Sequence, residues 1–232
     1  MERTKFCDKA VLNEFDCTEL EKADPILTDG FFVVFRRTCP IEIRLMDSDG
    51  VEEIGSMENI NFRVMLKGQK SLPELIRIEI TCDNDLFLYY IYDIDHVEFN
   101  ELKVTQNLVC NFSDFTETFC RIINDTIQDQ LGHSVKFCLR GDGTGKLTFI
   151  QIVGYKYLEL LSIDFKQTTE DIIRNSISFR YSLMKSKLAI METRFIEISN
   201  LLNMRNPTLM SYLQKNTSCM KNKYEKQLKS KY

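Results

Sequence analysis

The chain contains 232 residues, of which 44% are hydrophobic and 28% are charged, and its formal net charge is -4 at pH 7. This composition is typical of a globular protein with one sizeable core, and it excludes a wholly disordered or fibrous chain. The negative net charge disfavours a nucleic-acid-binding protein. The longest uninterrupted apolar run, at residues 86–92, is far shorter than the roughly 20 residues of a membrane-spanning helix, so we expect no membrane partner.

Neither the cysteines nor the histidines form a metal-binding pattern. The eight cysteines are scattered without a CxxC pair, and the two histidines are His96 and His133. This usage predicts free thiols in a reducing intracellular compartment, without a metal site or a cofactor. The first ten residues, MERTKFCDKA, lack the apolar core of a secretory signal, so we expect no secretion.

One glycine-rich stretch, GDGTGK at residues 141–146, resembles a phosphate-binding loop. Such a loop needs a glycine at the position of Arg140 and a serine or threonine at the position of Leu147. Both are missing, and the flanking residues indicate strands, whereas phosphates bind at a helix N-terminus. Each cysteine would need a neighbouring base to act as a nucleophile, and the sequence shows none. The sequence therefore predicts no catalytic residues and no enzymatic activity.

Strand signals dominate the first half of the chain. Residues 1–30 combine charges with scattered hydrophobic residues and predict a flexible N-terminal segment. An acidic loop is predicted at residues 48–53. Strands are predicted at residues 31–35, 41–45, 60–66, 75–80 and 86–92. The first two are separated by a short connection that ends at Pro40, and the last is apolar on both faces, which is typical of a central strand.

A change of the apolar period from two to about 3.6 marks an inserted helical segment. Asp95 is placed to cap a short helix that contains Phe99 and Leu102, and Asn111 or Ser113 can begin a longer helix. The longer helix has one apolar face, formed by Phe112, Phe115, Phe119, Ile122 and Ile123. We expect that face to lie against the sheet.

Three further strands are predicted at residues 135–140, 146–153 and 157–165. An Asp-Gly pair in the turn at residues 141–145 favours a tight hairpin between the first two. Gly154, Tyr155 and Lys156 connect the last two, so we expect a second hairpin whose tip projects Tyr155 into solvent. The head domain is thus predicted to span residues 31–167 as an antiparallel β-barrel or sandwich with an inserted helix-turn-helix segment.

Residues 168–205 predict a helix in which apolar residues alternate by four and three positions, as in an a/d coiled-coil seam. The seam consists of Ile177, Tyr181, Met184, Leu188, Met191, Phe195, Ile198 and Leu202. So narrow a stripe favours pairing with a second copy, whereas a helix docked on its own domain usually carries a wider stripe. Methionine at two d positions predicts weak pairing. Residues 206–232 predict a flexible, lysine-rich tail.

Residues 75–119 resemble the central block of the spindle assembly abnormal protein family, the centriolar cartwheel proteins. The block contains a strand, an acidic turn, an aromatic-rich strand, a short helix with Phe99 and Leu102, and an element with Leu108 and Phe112. The likeness in order and spacing extends over about residues 31–202.

This resemblance implies a fold and a mode of assembly. Family members share their head fold with a DNA-break repair scaffold family, dimerise in parallel through the coiled coil, and pair their heads to close a ring. An aromatic residue at a hairpin tip, typically Phe, inserts into a pocket of the next head. The match of YKYL at residues 155–158 to that context places this role on Tyr155, with Gly154 and Lys156 beside it. A tyrosine hydroxyl in an apolar pocket needs a hydrogen-bond partner.

Three hypotheses for function follow. The first is a structural self-assembly protein of the centriole, basal body or apical microtubule cytoskeleton, located in the cytoplasm. Its partner would be a second copy of itself, together with other centriolar or microtubule-associated proteins. The short coiled coil is similar to that of the short SAS-like branch found in protists. The alternatives are a scaffold for DNA double-strand-break repair and a dimeric adaptor that does not polymerise.

Overall fold

In the computed structural model, residues 23–27, 29–46, 55–208 and 211 are described. Most of the predicted flexible N-terminal segment, the predicted acidic loop at residues 48–53 and most of the lysine-rich tail lie outside these residues. Residues 24–179 form one compact unit, and residues from Arg180 onward belong to a second.

The strands of the described residues form a closed barrel in the order β1-β2-β3-β4-β7-β6-β5. Their bounds are Phe31–Met46 (β1), Ser56–Gln69 (β2), Leu72–Cys82 (β3), Tyr89–Asp95 (β4), His133–Arg140 (β5), Thr144–Val153 (β6) and Lys156–Gln167 (β7). Neighbouring strands are antiparallel, except that β1 and β5 are parallel and close the barrel. The predicted antiparallel β-barrel with inserted helices is therefore confirmed.

Alternation of apolar and polar residues places the barrel core. On β2, Ile60, Phe62 and Val64 point inward and are fully buried, because side chains two positions apart share one face of a strand. The longer inserted helix, Phe112–Gln128, adds its apolar face to this core. The Phe119 ring lies 6.3 Å from the Phe62 ring and 5.6 Å from the Phe149 ring, measured between centroids. The predicted contact between the longer helix and the sheet is thus present.

Strand β1 corrects the prediction of two strands joined by a short connection. It runs from Phe31 to Met46 without interruption, with a register shift between Val33 and Phe35, and Pro40 lies opposite Asn59 of β2. Proline is tolerated in a strand where no neighbour needs its missing N–H. Pairing of β1 with β5 begins only at Glu42, so Pro40 precedes the part of β1 that has neighbours on both edges.

Strand β4 is displaced from its predicted position. The prediction covered residues 86–92, but the strand spans Tyr89–Asp95. The Leu88 N–H donates to the Asp85 carbonyl oxygen at 3.1 Å, and the Phe87 N–H donates to the Asp85 carboxylate at 3.0 Å. These bonds hold the chain in a turn, as aspartate side chains often do. The prediction was wrong at residues 86–88, because their hydrophobicity does not show that they belong to the turn.

The helix α1 (His96–Gln106) begins as predicted. Asp95 accepts hydrogen bonds from the N–H groups of Val97 and Glu98, each at 2.8 Å, and the Glu98 carboxylate accepts one from the Asp95 N–H at 3.4 Å. This reciprocal capping box satisfies donors that a helix start otherwise leaves unpaired. The longer helix α2 (Phe112–Gln128) has Asn111 as its N-cap residue, one of the two predicted starts.

The outer face of β2 and β3 carries a buried charged cluster. Arg63 of β2 contacts the carboxylates of Glu79 and Asp24, and the Tyr89 hydroxyl donates to Glu79 at 2.7 Å. Asp24 therefore departs from the predicted flexible segment: it is buried and directly precedes a short 3-10 helix, Pro25–Leu27. The sequence could not indicate this contact, because Asp24 and Arg63 are far apart along the chain.

Helix α3 spans Glu170–Arg205 without a break. Glu170 and Asp171 occupy its first turn, where negative charge is favourable, and Ile173 and Ser176 are buried. The helix ends one residue before Asn206-Pro207, as predicted. Pro207, Thr208 and Ser211, in the predicted flexible tail, are again helical.

Candidate self-assembly surfaces

The hairpin between β6 and β7 places Tyr155 at its tip. Val153 lies opposite Lys156, so Gly154 and Tyr155 form a two-residue loop. Gly154 has φ +60°, whereas the φ of Tyr155 is not positive. This combination is that of a type II′ turn, which requires glycine at its first central position. The turn leaves the Tyr155 side chain 106% exposed, as the sequence predicted, and the role of Tyr155 in head pairing stays a prediction.

The tip belongs to an apolar surface that the sequence patterns did not indicate. Ile152 and Val153 on β6 and Tyr157 and Leu158 on β7 are 37–78% exposed. Tyr157 lies opposite Ile152, so large apolar side chains continue from the tip along both strands. Because successive strand residues point to opposite faces, Ile152 and Tyr157 expose apolar side chains on one face of the hairpin, and Val153 and Leu158 do so on the other. Exposed apolar side chains around a hairpin tip are typical of a protein contact. The sequence could have indicated these exposed residues, because apolar residues are frequent on both sides of the Gly154-Tyr155 turn.

The predicted seam is uncovered in the single chain. Tyr181, Met184, Leu188, Met191 and Phe195 are 54–71% exposed, and Ile198 is 38% exposed. Ile177 and Leu202, at the two ends of the seam, are partly buried. Burying one such side chain contributes about 1.5–3 kcal/mol. An uncovered stripe of this length therefore favours association through α3.

The polar side of α3 carries exposed ion pairs. Arg174 contacts Glu170 at 2.7 Å, and Arg194 contacts Glu197 at 3.2 Å. Such exposed pairs on one helix each stabilise it by about 0.5 kcal/mol or less. They contribute solubility and modest helix stability, while the seam supplies the apolar surface that can bind.

The two histidines and two of the cysteines, which are residue types that often act in catalysis or metal binding, make contacts that stabilise the fold. The His96 ring packs against the Phe112 ring at 5.6 Å, and His133 lies 3.7 Å from the Asp129 carboxylate. Burial raises the pKa of the Cys39 thiol to about 11. Burial, and then the charge of Glu117, raise the pKa of Cys120 to about 11 as well. These two thiols are therefore protonated and unreactive at neutral pH.

The described residues contain neither a cluster of metal ligands nor a helix that could span a membrane. Over residues 23–27, 29–46, 55–208 and 211, no three or more His, Cys, Asp or Glu side chains gather as metal ligands would. Within the same residues, every helix is too short or too polar to cross a bilayer.

Comparison with known proteins identifies the head. The family model for the centriolar protein SAS N-terminal domain matches residues 33–165, more than half of the chain. The spindle assembly abnormal protein 6 homolog of Danio rerio is 21% identical over 163 residues, which are 67% of this chain and 26% of that protein. The chain thus spans about a quarter of the length of this curated relative.

Solved structures share the fold at low sequence identity. An N-terminal fragment of Leishmania SAS-6 with parts of its coiled coil domain has a TM-score of 0.65 and 13% identity, covering 78% of this chain and 99% of the fragment. An N-terminal fragment of Drosophila melanogaster Sas-6, dimerised via its coiled-coil domain, has a TM-score of 0.63 and 17% identity, covering 88% and 98%. For the N-terminal coiled-coil dimer of C. elegans SAS-6 the values are 0.55 and 10%, covering 70% and 96%. The chain therefore belongs to the family of centriolar SAS proteins and contains their N-terminal domain.

Proposed function

We propose that this protein is a structural self-assembly component of the centriole or basal body, located in the cytoplasmic cytoskeleton. It dimerises through α3 and oligomerises through contacts between heads. The observation that carries the proposal is the uncovered heptad seam on the helix that directly follows a centriolar SAS head. Two different two-fold contacts per chain suffice to build a ring or a filament.

The first contact is a parallel coiled coil. In a parallel pair each seam residue meets its own counterpart, and a g residue faces the e residue five positions later in the partner helix. Lys187 then meets Glu192, which is attractive, while Arg180 meets Lys185, which is repulsive. Methionine at positions 184 and 191 packs less specifically than leucine. We therefore expect a low-affinity dimer. The Drosophila fragment is itself dimerised via its coiled-coil domain, which supports the same contact here.

The second contact is between heads and centres on the hairpin tip, with Tyr155 as the inserted side chain and Gly154 and Lys156 beside it. A fully exposed aromatic residue on a rigid two-residue turn loses little conformational entropy on binding, which is why such residues are frequent binding anchors. The apolar side chains of Ile152 and Tyr157, which lie opposite each other, extend the contact area. Doubling the heads by α3 makes this contact multivalent, so a weak head contact suffices for assembly.

Helix α3 gives the length of the proposed coiled coil within the described residues. Its 36 residues correspond to about 54 Å at 1.5 Å per residue. The apical microtubule cytoskeleton is a second location that we propose, on the resemblance to the SAS-like branch found in protists. Other centriolar or microtubule-associated proteins are the expected further partners. The match to the centriolar SAS family supports this function over a DNA-repair scaffold.

The decisive experiment measures the mass of the full chain as a function of concentration by sedimentation velocity. We expect monomers, then dimers, and then larger species as concentration rises, because two contacts act in series. Dimers without larger species would indicate the non-polymerising adaptor. Monomers at all concentrations would contradict both contacts. DNA binding that weakens steeply with salt would favour the repair scaffold.

A further inference from the structure

One edge of β7 is only partly closed by its neighbours. Strand β7 pairs with β6 along its length, but it pairs with β4 only at Gln167 and Lys166. Further towards the tip, α1 closes the edge at one residue: the Gln106 amide donates to the Ser162 carbonyl oxygen, and the Ser162 N–H donates to the Gln106 side-chain oxygen at 2.9 Å. From Ser162 to the tip, no strand among the described residues pairs with this edge.

The backbone groups that face the open edge follow from the hairpin register. Ile152 lies opposite Tyr157, yet the Ile152 N–H donates to the Gly132 carbonyl oxygen at 2.8 Å, on the β5 side of the hairpin. In an antiparallel ladder, a residue directs its N–H and C=O to one side only. Ile152 and Tyr157 are therefore not bonded to each other, and Tyr157 directs its N–H and C=O away from β6. Glu159, two positions along, does the same.

Residues 156–159 of this edge contain no proline, and the extra residue of β7, Leu160, opposite the step from Phe149 to Ile150, lies just beyond them. Exposed edges are usually protected by proline, by several charges or by a covering element. Here residues 156–159 contain one lysine and one glutamate, while Tyr157 is 78% and Leu158 is 52% exposed. Two outward-facing residues whose backbone groups pair with no described strand, and which have apolar neighbours, are a suitable template for one added strand.

We infer that the open edge of β7 pairs antiparallel with the same edge of a second copy, about a two-fold axis at Leu158. In this register Tyr157 lies opposite Glu159 of the second copy, and the two Leu158 side chains face each other. Tyr157 and Glu159 both direct their backbone groups outward, so two such pairs form about four backbone hydrogen bonds. An isologous contact of this kind is the commonest form of association between identical chains.

Other registers and other occupants are less favourable. An axis at Glu159 would place two carboxylates directly opposite each other, which destabilises a strand pair. An axis at Tyr157 would place Lys156 opposite Leu158 and leave fewer apolar contacts. The edge is continuous with the Tyr155 tip, so a second copy buries both surfaces in one contact. The inference rests on the proposed function, because it specifies how one head contacts the next.

The register also places the hairpin tip of each copy on the other. With the axis at Leu158, the Tyr155 turn of each copy comes beside the stretch of the second copy that follows Glu159, where β7 has its extra residue and α1 closes the edge at Ser162. The strand pairing and the Tyr155 contact therefore involve the same two copies. The strand pairing adds backbone hydrogen bonds, whose formation depends little on side-chain identity.

A proline substitution tests the strand pairing in the full chain. Glu159→Pro removes an N–H that faces the open edge and leaves the bonds to β6, so the barrel should keep its circular dichroism spectrum and melting temperature. Because each of the two copies in the contact loses one backbone hydrogen bond, we expect the dissociation constant of the head contact to rise about tenfold or more. Glu159→Ala is the matched control, which keeps the N–H and should associate like the unsubstituted chain. Equal association of the two variants would overturn the inference.

Hydrogen exchange provides a second test that needs no substitution. In the unsubstituted chain, the amides of Tyr157 and Glu159 should exchange about tenfold or more slowly once concentration drives assembly beyond dimers. Unchanged exchange in the assembly would overturn the inference. Slow exchange already in the monomer would also overturn it, since another segment of the same chain would then cover the edge. If Tyr155→Glu abolishes assembly while Glu159→Pro does not, the tip contact stands and only the strand pairing fails.

Discussion

The Tyr89 hydroxyl donates a 2.7 Å hydrogen bond to the Glu79 carboxylate on the outer face of the barrel. Glu79 is 1% exposed and also contacts Arg63, which contacts Asp24. Burial lowers the pKa of Arg63, but its hydrogen bonds to and the charges of Glu79 and Asp24 outweigh this effect and raise it above its usual value. Arg63 therefore stays charged and is the counter-charge that the two carboxylates share. The Thr168 N–H donates to the Tyr89 carbonyl oxygen, so the cluster lies where the chain leaves the barrel for α3.

Removing the central charge should destabilise the head strongly. Arg63→Met leaves the Glu79 and Asp24 carboxylates buried without a counter-charge, which we expect to cost about 3–5 kcal/mol of unfolding free energy. Tyr89→Phe removes one bond to a charged acceptor and should cost about 1.5–3 kcal/mol. Urea unfolding measures both. Arg121→Met is the control, because Arg121 and Glu117 form an exposed pair whose loss should cost about 0.5 kcal/mol or less. Equal losses for the two arginines would contradict a buried charge network.

The Cys39 thiol links stability to alkaline pH. Burial raises its pKa from 9.0 to about 11, so between these values the thiol ionises in the unfolded chain but not in the folded one. The unfolded state then binds fewer protons, and the stability that Cys39 contributes is lost as pH rises from about 9 to about 11. The difference in unfolding free energy between the unsubstituted chain and Cys39→Ala should therefore shrink over this window. If the unfolding free energies of the unsubstituted chain and of Cys39→Ala change in parallel between pH 9 and pH 11, ionisation of Cys39 does not affect stability.

Features set by neighbouring residues could be predicted from the sequence. The Asp95 capping box, the apolar face of α2 and the glycine-dependent turn before Tyr155 each depend on a few adjacent positions. Period and turn chemistry are local signals, so helix starts and hairpins agree with the structure. The seam on α3 could be predicted for the same reason, since a heptad repeat is visible without knowledge of the fold, and its pairing stays a prediction.

Features set by distant partners could not be predicted. Pro40 ends a strand by local rules, but pairing with β2 continues β1 through it. The contact between Asp24 and Arg63 and the open edge of β7 depend on which strands become neighbours in the barrel. The start of β4 depends on the bonds that hold the Asp85 turn. Tertiary pairing overrides local preference at each of these positions.

The seam predicts how dimerisation is lost. Leu188→Asp combined with Phe195→Asp places charges at two core positions of the coiled coil, where each would have to be buried without a partner. We expect the dissociation constant of the dimer to rise more than about a hundredfold, so that sedimentation shows monomers at concentrations where the unsubstituted chain dimerises. A dimer that persists would mean that α3 is not the interface.

Off-seam substitutions provide the control for this experiment. Ile196 and Met204 are 59% and 76% exposed on α3 but lie outside the a and d positions. Ile196→Asp combined with Met204→Asp introduces the same charges into the same helix. We expect the dimer to be unchanged, which separates loss of the seam from loss of helix stability.

The hairpin tip predicts how larger assemblies are lost while dimers persist. Tyr155→Glu replaces an exposed aromatic side chain with a charge that cannot enter an apolar site, and loss of such an anchor typically costs about 2–4 kcal/mol of binding. The barrel should be unaffected, because Tyr155 makes no buried contact. Leu72→Glu is the control, since Leu72 is 75% exposed at the start of β3 and lies outside the proposed contact. Tyr155→Phe removes only the hydroxyl, and should tighten the head contact by about 1 kcal/mol if that hydroxyl is desolvated without a partner.

Sedimentation of the three variants then ranks them: larger species should be most abundant for Tyr155→Phe, unchanged for Leu72→Glu and absent for Tyr155→Glu. Larger species that survive Tyr155→Glu would remove the tip from the interface and leave α3 as the sole proposed contact.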